Sequence, residues 1–130
     1  MLVRDSEFTA NSGTGIGVSP TGSATAQVTV ERSTVARSIV GVTAFPSPPS
    51  TALVVVTQSV LSENSSVAAS ATSAGATIWL RENSIMRNGT GMSQSNSGVI
   101  NACGANLLVA NGTQETGAIN RTNCLDQAAA

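Results

Sequence analysis

Glu31, Arg32, Arg37 and Glu63 are the residues of this chain whose types and spacing come nearest to acid–base chemistry. The 130-residue sequence contains no His, Lys or Tyr, so any proton would have to move through a carboxylate, a thiol or an unusual arginine. Imidazole is removed as base and zinc ligand, and lysine as Schiff-base former and phosphate anchor. Hydrolysis of a glycosidic bond needs two carboxyl groups about 5–10 Å apart. Asp5 and Glu31 are a pair that folding could bring that close, as it could many surface pairs in a stacked chain.

What would position these residues is a repeat. An apolar residue followed three positions later by Asn or Ser recurs at Phe8/Asn11, Val35/Ser38, Leu61/Asn64, Ile85/Asn88 and Leu108/Asn111, with marker spacings of 27, 26, 24 and 23. Self-similarity of this period is the mark of a stacked-repeat architecture. Eight residues before each marker stand Val3, Val30, Val56, Leu80 and Cys103. Ten before stand Val28, Val54, Ile78 and Asn101, and four after stand Val42, Ala68 and Met92, joined by Ile16 after one inserted residue. Alternation such as Val28-Thr29-Val30 or Ile78-Trp79-Leu80 is the period-2 pattern of strands with one face buried. Gly, Asn, Thr and Ser interrupt every helical stripe. The sequence therefore predicts an all-β fold, a parallel β-helix (β-solenoid) of about five rungs over residues 1–113, right-handed by the crossover rule. Residues 114–130 are expected to form a C-terminal cap or tail.

The Asn markers are expected at corners, where a residue must tolerate a left-handed backbone and bond locally. Asn64, Asn88 and Asn111 should stack amide on amide, with Ser38 breaking the ladder before Asn11. The sequons at Asn64, Asn88, Asn111 and Asn120 fit glycosylation, but the first three lie in the Asn corner column, whose geometry already explains them. Gly13-Thr14-Gly15-Ile16-Gly17 also reads as a corner and does not fit a dinucleotide fingerprint.

The segments Val30–Val35, Gln58–Asn64 and Ile85–Met92 resemble bacterial right-handed parallel β-helix repeat proteins of the pectate-lyase-like superfamily. The likeness spans roughly residues 2–113 and is carried by fold-making positions. It implies either a polysaccharide-active enzyme (a lyase or glycoside hydrolase) or a member without catalysis. A lyase would imply calcium held by clustered Asp and an Arg or Lys base. Asp occurs only at Asp5 and Asp126, so no metal site is expected, and calcium belongs to the lyase alternative alone. No other cofactor is implied.

Aligned on the repeat, the charges form columns: Arg4 over Glu31, Asp5 over Arg32, and Arg37 over Glu63 over Arg87. Opposite charges on adjacent rungs contribute roughly 0.2–1 kcal/mol each. Cross-rung pairing is the leading reading of Glu31, Arg32, Arg37 and Glu63, with catalysis the competing one. The missing His, Lys and Tyr weigh against an enzyme. An outward apolar strip of Leu53, Val55, Trp79 and Ile100 is expected to be a contact surface, first for subunit packing and second for stacking of a sugar ring on Trp79. The loops 19–26, 43–52, 70–76 and 93–98 stack on one side, and the rigid Phe45–Pro49 stretch is a ligand wall or a cover over the next rung.

Cys103 is expected as a buried thiol, with a bridge to Cys124 as the alternative. A net charge of −1 and pI near 5.1 exclude nucleic acid as partner, and no stretch has the roughly 20 apolar residues of a membrane span. Met1–Asp5 is not a signal peptide, which leaves an extracellular or cell-surface location open. The first rung begins without a cap, so the chain is expected to be the C-terminal part of a longer β-helix or to self-associate through that rung or the Trp79 face. The functional expectation is a structural or binding module, self-associating, with affinity for glycan.

Overall fold

The computed structural model describes residues 1–121. Each turn of the chain lays down three short strands. The first rung is β1 (Leu2–Arg4), β2 (Glu7–Thr9) and β3 (Thr14–Val18), and the second β4 (Thr25–Glu31), β5 (Thr34–Ala36) and β6 (Val40–Ala44). The third is β7 (Thr51–Thr57), β8 (Val60–Ser62) and β9 (Val67–Thr72), and the fourth β10 (Ala76–Arg81), β11 (Ser84–Met86) and β12 (Thr90–Ser95). The fifth is β13 (Val99–Ala102), β14 (Leu107–Val109) and β15 (Thr113–Thr116). Corresponding strands pair in parallel, giving three five-stranded sheets: sheet A (β1-β4-β7-β10-β13), sheet B (β2-β5-β8-β11-β14) and sheet C (β3-β6-β9-β12-β15). This is the expected parallel β-solenoid, and no helix occurs among the described residues.

Like packs on like inside. Val3, Val30 and Val56 are in direct register, followed by Leu80, while Phe8, Val35, Leu61, Ile85 and Leu108 line sheet B. Val30, Val35, Val42, Val54, Val56, Leu61, Ile78, Leu80, Ile85 and Met92 are all fully buried. Each such side chain contributes about 1.5–3 kcal/mol on burial, and the main-chain ladders satisfy the polar groups that narrow rungs would otherwise strand.

Two columns differ from the sequence alignment. In the fifth rung Ile78 pairs with Ile100 and Leu80 with Ala102, so Ile100 and Ala102 take the inward places assigned to Asn101 and Cys103. One extra residue lies between Ala102 and Asn106 compared with Leu80 to Asn83, and Gly104 turns at φ 79° to absorb it. In the third rung Val42 pairs with Ala69 rather than Ala68, because Ser65-Ser66 adds a residue after the Asn64 corner. The loops are also shorter than expected, since β4, β6, β7, β9, β10 and β12 extend into them and leave 19–24, 45–50, 73–75 and 96–98.

The corners divide their work between two neighbouring residues. The left-handed residue is the one before the marker: Ala10, Arg37, Glu63, Arg87 and Ala110, with φ from 55° to 60°. The marker itself builds the ladder. Asn64 Nδ2 and Asn88 Nδ2 each donate to the Oδ1 of the next Asn at 2.9 Å. Their second donations reach Val35 O and Leu61 O. Asn11 is not cut off, for its Nδ2 donates to Ser38 Oγ at 3.4 Å. A second ladder, Ser33-Ser59-Asn83-Asn106, runs along the corner between sheets A and B. Here too the preceding residue is left-handed at Asp5, Arg32, Gln58 and Glu82.

In sheet C the inner columns finish in polar residues. Gln94 continues the inner column of Val18, Ala44 and Ala71, and its Oε1 accepts from Ile100 N at 2.8 Å. Glu115 follows Met92 in the next column and is ion-paired with Arg121. Asn120 adds a parallel bridge to Asn101, accepting from Ala102 N and donating to Ile100 O.

Candidate functional site

Alternation along β7 and β10 turns every second residue of sheet A outward. Leu2, Thr29, Val55, Trp79 and Asn101 stand in one outward column, and Gln27, Leu53, Thr77 and Val99 in its neighbour. Leu53, Val55 and Trp79 therefore do share a face, each half-buried by the side chains above and below it. Ile100 does not join them. It is 0% exposed in the core, and the one-residue shift of the fifth rung puts Val99, 38% exposed, in its place. Leu2, 51% exposed, stands in the same column on the first rung, separated from Val55 by Thr29. Around the strip lie Thr25, Thr51, Thr57 and Thr77, and the aligned charges Arg4, Glu31 and Arg81 mark its border.

The acid–base candidates sit on two different corners. At the corner between sheets A and B, Arg32 Nε donates to Asp5 Oδ1 at 3.0 Å, and Glu31 lies 3.6 Å from both Arg4 and Arg32. The hydrogen bond from Arg32 holds the Asp5 carboxyl below its usual range, and the same bond raises the Arg32 guanidinium. A carboxylate held ionised by a neighbouring guanidinium is suited to ion pairing and poorly suited to carrying a proton as a general acid. The network ties the first rung to the second, as the columns predict. Arg37 and Glu63 lie on the other corner, where Arg87 Nη1 meets Met86 Sδ at 3.5 Å. The Arg37–Glu63–Arg87 column closes no ion pair among the described residues. The four candidates are thus not assembled into one cluster. No group of three or more His, Cys, Asp or Glu is arranged for a metal ion among the described residues.

Phe45 leads the loop 45–50 and is 55% exposed, while Pro46 and Ser50 are buried. Ser50 Oγ bonds Pro20 O at 2.7 Å and Ser73 Oγ bonds Pro46 O at 2.9 Å, so the loop is laced to its neighbours above and below. It presents Phe45 outward. Cys103 is buried, as expected, but it is disulfide-bonded rather than a free thiol. Cys124, the only other cysteine, lies outside the described residues. No helix is long and apolar enough to cross a membrane among the described residues.

Compared with protein-family models, curated proteins and solved structures, the chain matches none of them.

Proposed function

We propose that the chain is a structural and binding module, a rigid β-solenoid that self-associates or holds a glycan through the outer face of sheet A. The observation that carries this reading is the register of Val55 with Trp79, with Leu53 and Val99 in the neighbouring outward column of sheet A. Exposed apolar strips centred on a Trp are contact surfaces far more often than solvent-facing decoration. The ring of Thr hydroxyls around the strip suits either a second protein surface or the alternating polar and apolar faces of a sugar. The resemblance to bacterial proteins of the pectate-lyase-like superfamily favours the polysaccharide partner, and the disulfide at Cys103 suits an oxidising, extracellular setting.

Light scattering of the native chain and of Trp79→Ala tests the first arm. An assembly that Trp79→Ala weakens supports packing of subunits on this face. Titration of a polysaccharide panel against Trp79 fluorescence tests the second. A monomeric wild type whose fluorescence no polysaccharide changes overturns the proposal.

A further inference from the structure

We infer that two copies of this chain pair sheet A against sheet A about a two-fold axis running along β7, which rests on the reading of that face as a contact surface and adds its partner and geometry. β4 and β10 flank β7 in unbroken register on its two sides. Rotation about β7 therefore keeps every outward column and exchanges its β4 and β10 members, while residues of β7 meet their own counterparts. An interface of this kind uses one patch twice and must be complementary to itself.

The outward columns meet that condition. Leu53 and Val55 lie on the axis, so apolar side chains meet their own copies at the centre, where an interface is driest. Beside them Gln27 comes opposite Thr77, and Thr29 opposite Trp79. The bulkiest outward side chain thus faces a small one, as interdigitating sheets require. In the next column Glu31 comes opposite Arg81, and the symmetry makes that pair twice. The Glu31 and Arg81 side chains are 27% and 42% exposed. Each is also braced within its own chain, Glu31 by Arg4 and Arg32 at 3.6 Å and Arg81 by Glu82 at 3.3 Å.

A two-fold axis along the stack would set each rung against itself, so that Glu31 and Arg81, on different rungs, would never meet. Opposite charge therefore selects the axis along β7. At ~3.3 Å per residue and ~4.8 Å per strand, the five strands of sheet A present roughly 430 Å² in projection, or roughly 860 Å² for two faces. An area of this size belongs to weak, reversible association rather than to an obligate dimer.

Sedimentation of the full chain over a range of concentrations, with its disulfide intact, is the test. Wild type should pass from monomer to dimer as concentration rises, and the emission of Trp79 should shift to the blue with it. Glu31→Arg alone, or Arg81→Glu alone, sets like charges against each other at two places. Each should raise the dissociation constant about tenfold or more. An equimolar mixture of the two variants restores opposite charges at both places and should associate within about threefold of wild type. Rescue on mixing, with the same blue shift, cannot come from a variant that has failed to fold. Variants that associate like wild type, or a mixture as weak as its components, overturn the two-fold arrangement. If Trp79→Ala still weakens that association, the face remains the contact surface in another geometry. A wild type that stays monomeric up to ~1 mM overturns the dimer as well. A polysaccharide that then changes Trp79 fluorescence leaves the glycan arm of the proposed function standing.

Discussion

Asn64 and Asn88 are joined twice across one corner: the main-chain N–H and the side-chain Nδ2 of Asn64 both donate to Asn88 Oδ1 at 2.9 Å. Asn88 in turn passes its Nδ2 to Leu61 O and Asn111 Oδ1. One buried amide therefore satisfies polar groups on three rungs, and every buried side-chain N or O described has a partner.

Asn88→Ala should therefore be costly, because it takes the acceptor from the Asn64 N–H inside the wall and removes a side-chain donor from Leu61 O. At about 1–3 kcal/mol for an orphaned buried group, a loss of about 2 kcal/mol is expected in urea unfolding. Asn88→Asp keeps the acceptor but sets a buried carboxylate against Leu61 O and Asn111 Oδ1. It should be the worse variant at neutral pH and recover toward Asn88→Ala as the carboxyl is protonated. Equal stability of wild type and Asn88→Ala would remove the ladder from the account of the fold.

Much of this arrangement is legible in the residues, and the exceptions have physical causes. Period-2 alternation and the recurring Asn fix strands, rungs and inward columns, because a one-residue slip turns a whole strand inside out. Counting from a single marker fails where a corner absorbs an extra residue, as at Gly104 and Ser65-Ser66, since only three-dimensional pairing shows which side of the insertion keeps register. Counting from the marker therefore predicts Ile100 on the outer face, whereas pairing with Ile78 puts it in the core. The second ladder was hidden because two of its members are Ser, a residue common throughout this chain. The outward strip was legible at Leu53, Val55 and Trp79 because the alternation there is unbroken.

Gly41 reports how tightly sheet C wraps the ladder. A Cβ at this position would lie 2.5 Å from Ala68 O and 3.0 Å from Asn64 Nδ2, and neither the strand nor the ladder can retreat. Gly41→Ala should cost about 1–3 kcal/mol. Gly13→Ala, where a Cβ meets nothing within 4 Å, should leave the denaturation midpoint nearly unchanged. Similar losses at both positions would contradict the close approach.

The Asp5–Arg32 pair sets a pH dependence with a definite sign. Hydrogen bonding to Arg32 lowers the Asp5 carboxyl from its ordinary value. A depressed carboxylate contributes stability that is present above its unfolded pKa, about 3.9, and is lost as pH falls through the folded value. The difference in thermal midpoint between wild type and Arg32→Ala should therefore be steady above about pH 5 and shrink as pH falls toward about 2. The pair is exposed, so the effect is small. A difference that grows on acidification would show the sign to be wrong.

Glu63 separates a backbone role from a chemical one. Its φ of 57° puts it in the left-handed region at the head of the Asn64 corner, which costs an L-residue roughly 1–2 kcal/mol and glycine nothing. Glycine gives part of this back through its greater freedom in the unfolded chain, roughly 0.5–1 kcal/mol. Glu63→Gly should consequently fold with stability equal to wild type or up to about 1.5 kcal/mol higher, because no ion pair is lost. Glu63→Val, β-branched and poorly suited to positive φ, should lose about 1 kcal/mol or more. Binding by the Trp79 face should be the same in both, since the corner lies between sheets B and C and the strip lies on sheet A. If Glu63→Gly keeps its stability but loses polysaccharide binding or turnover, the corner carboxylate is a working group, and the surface centred on Trp79 is not the whole site.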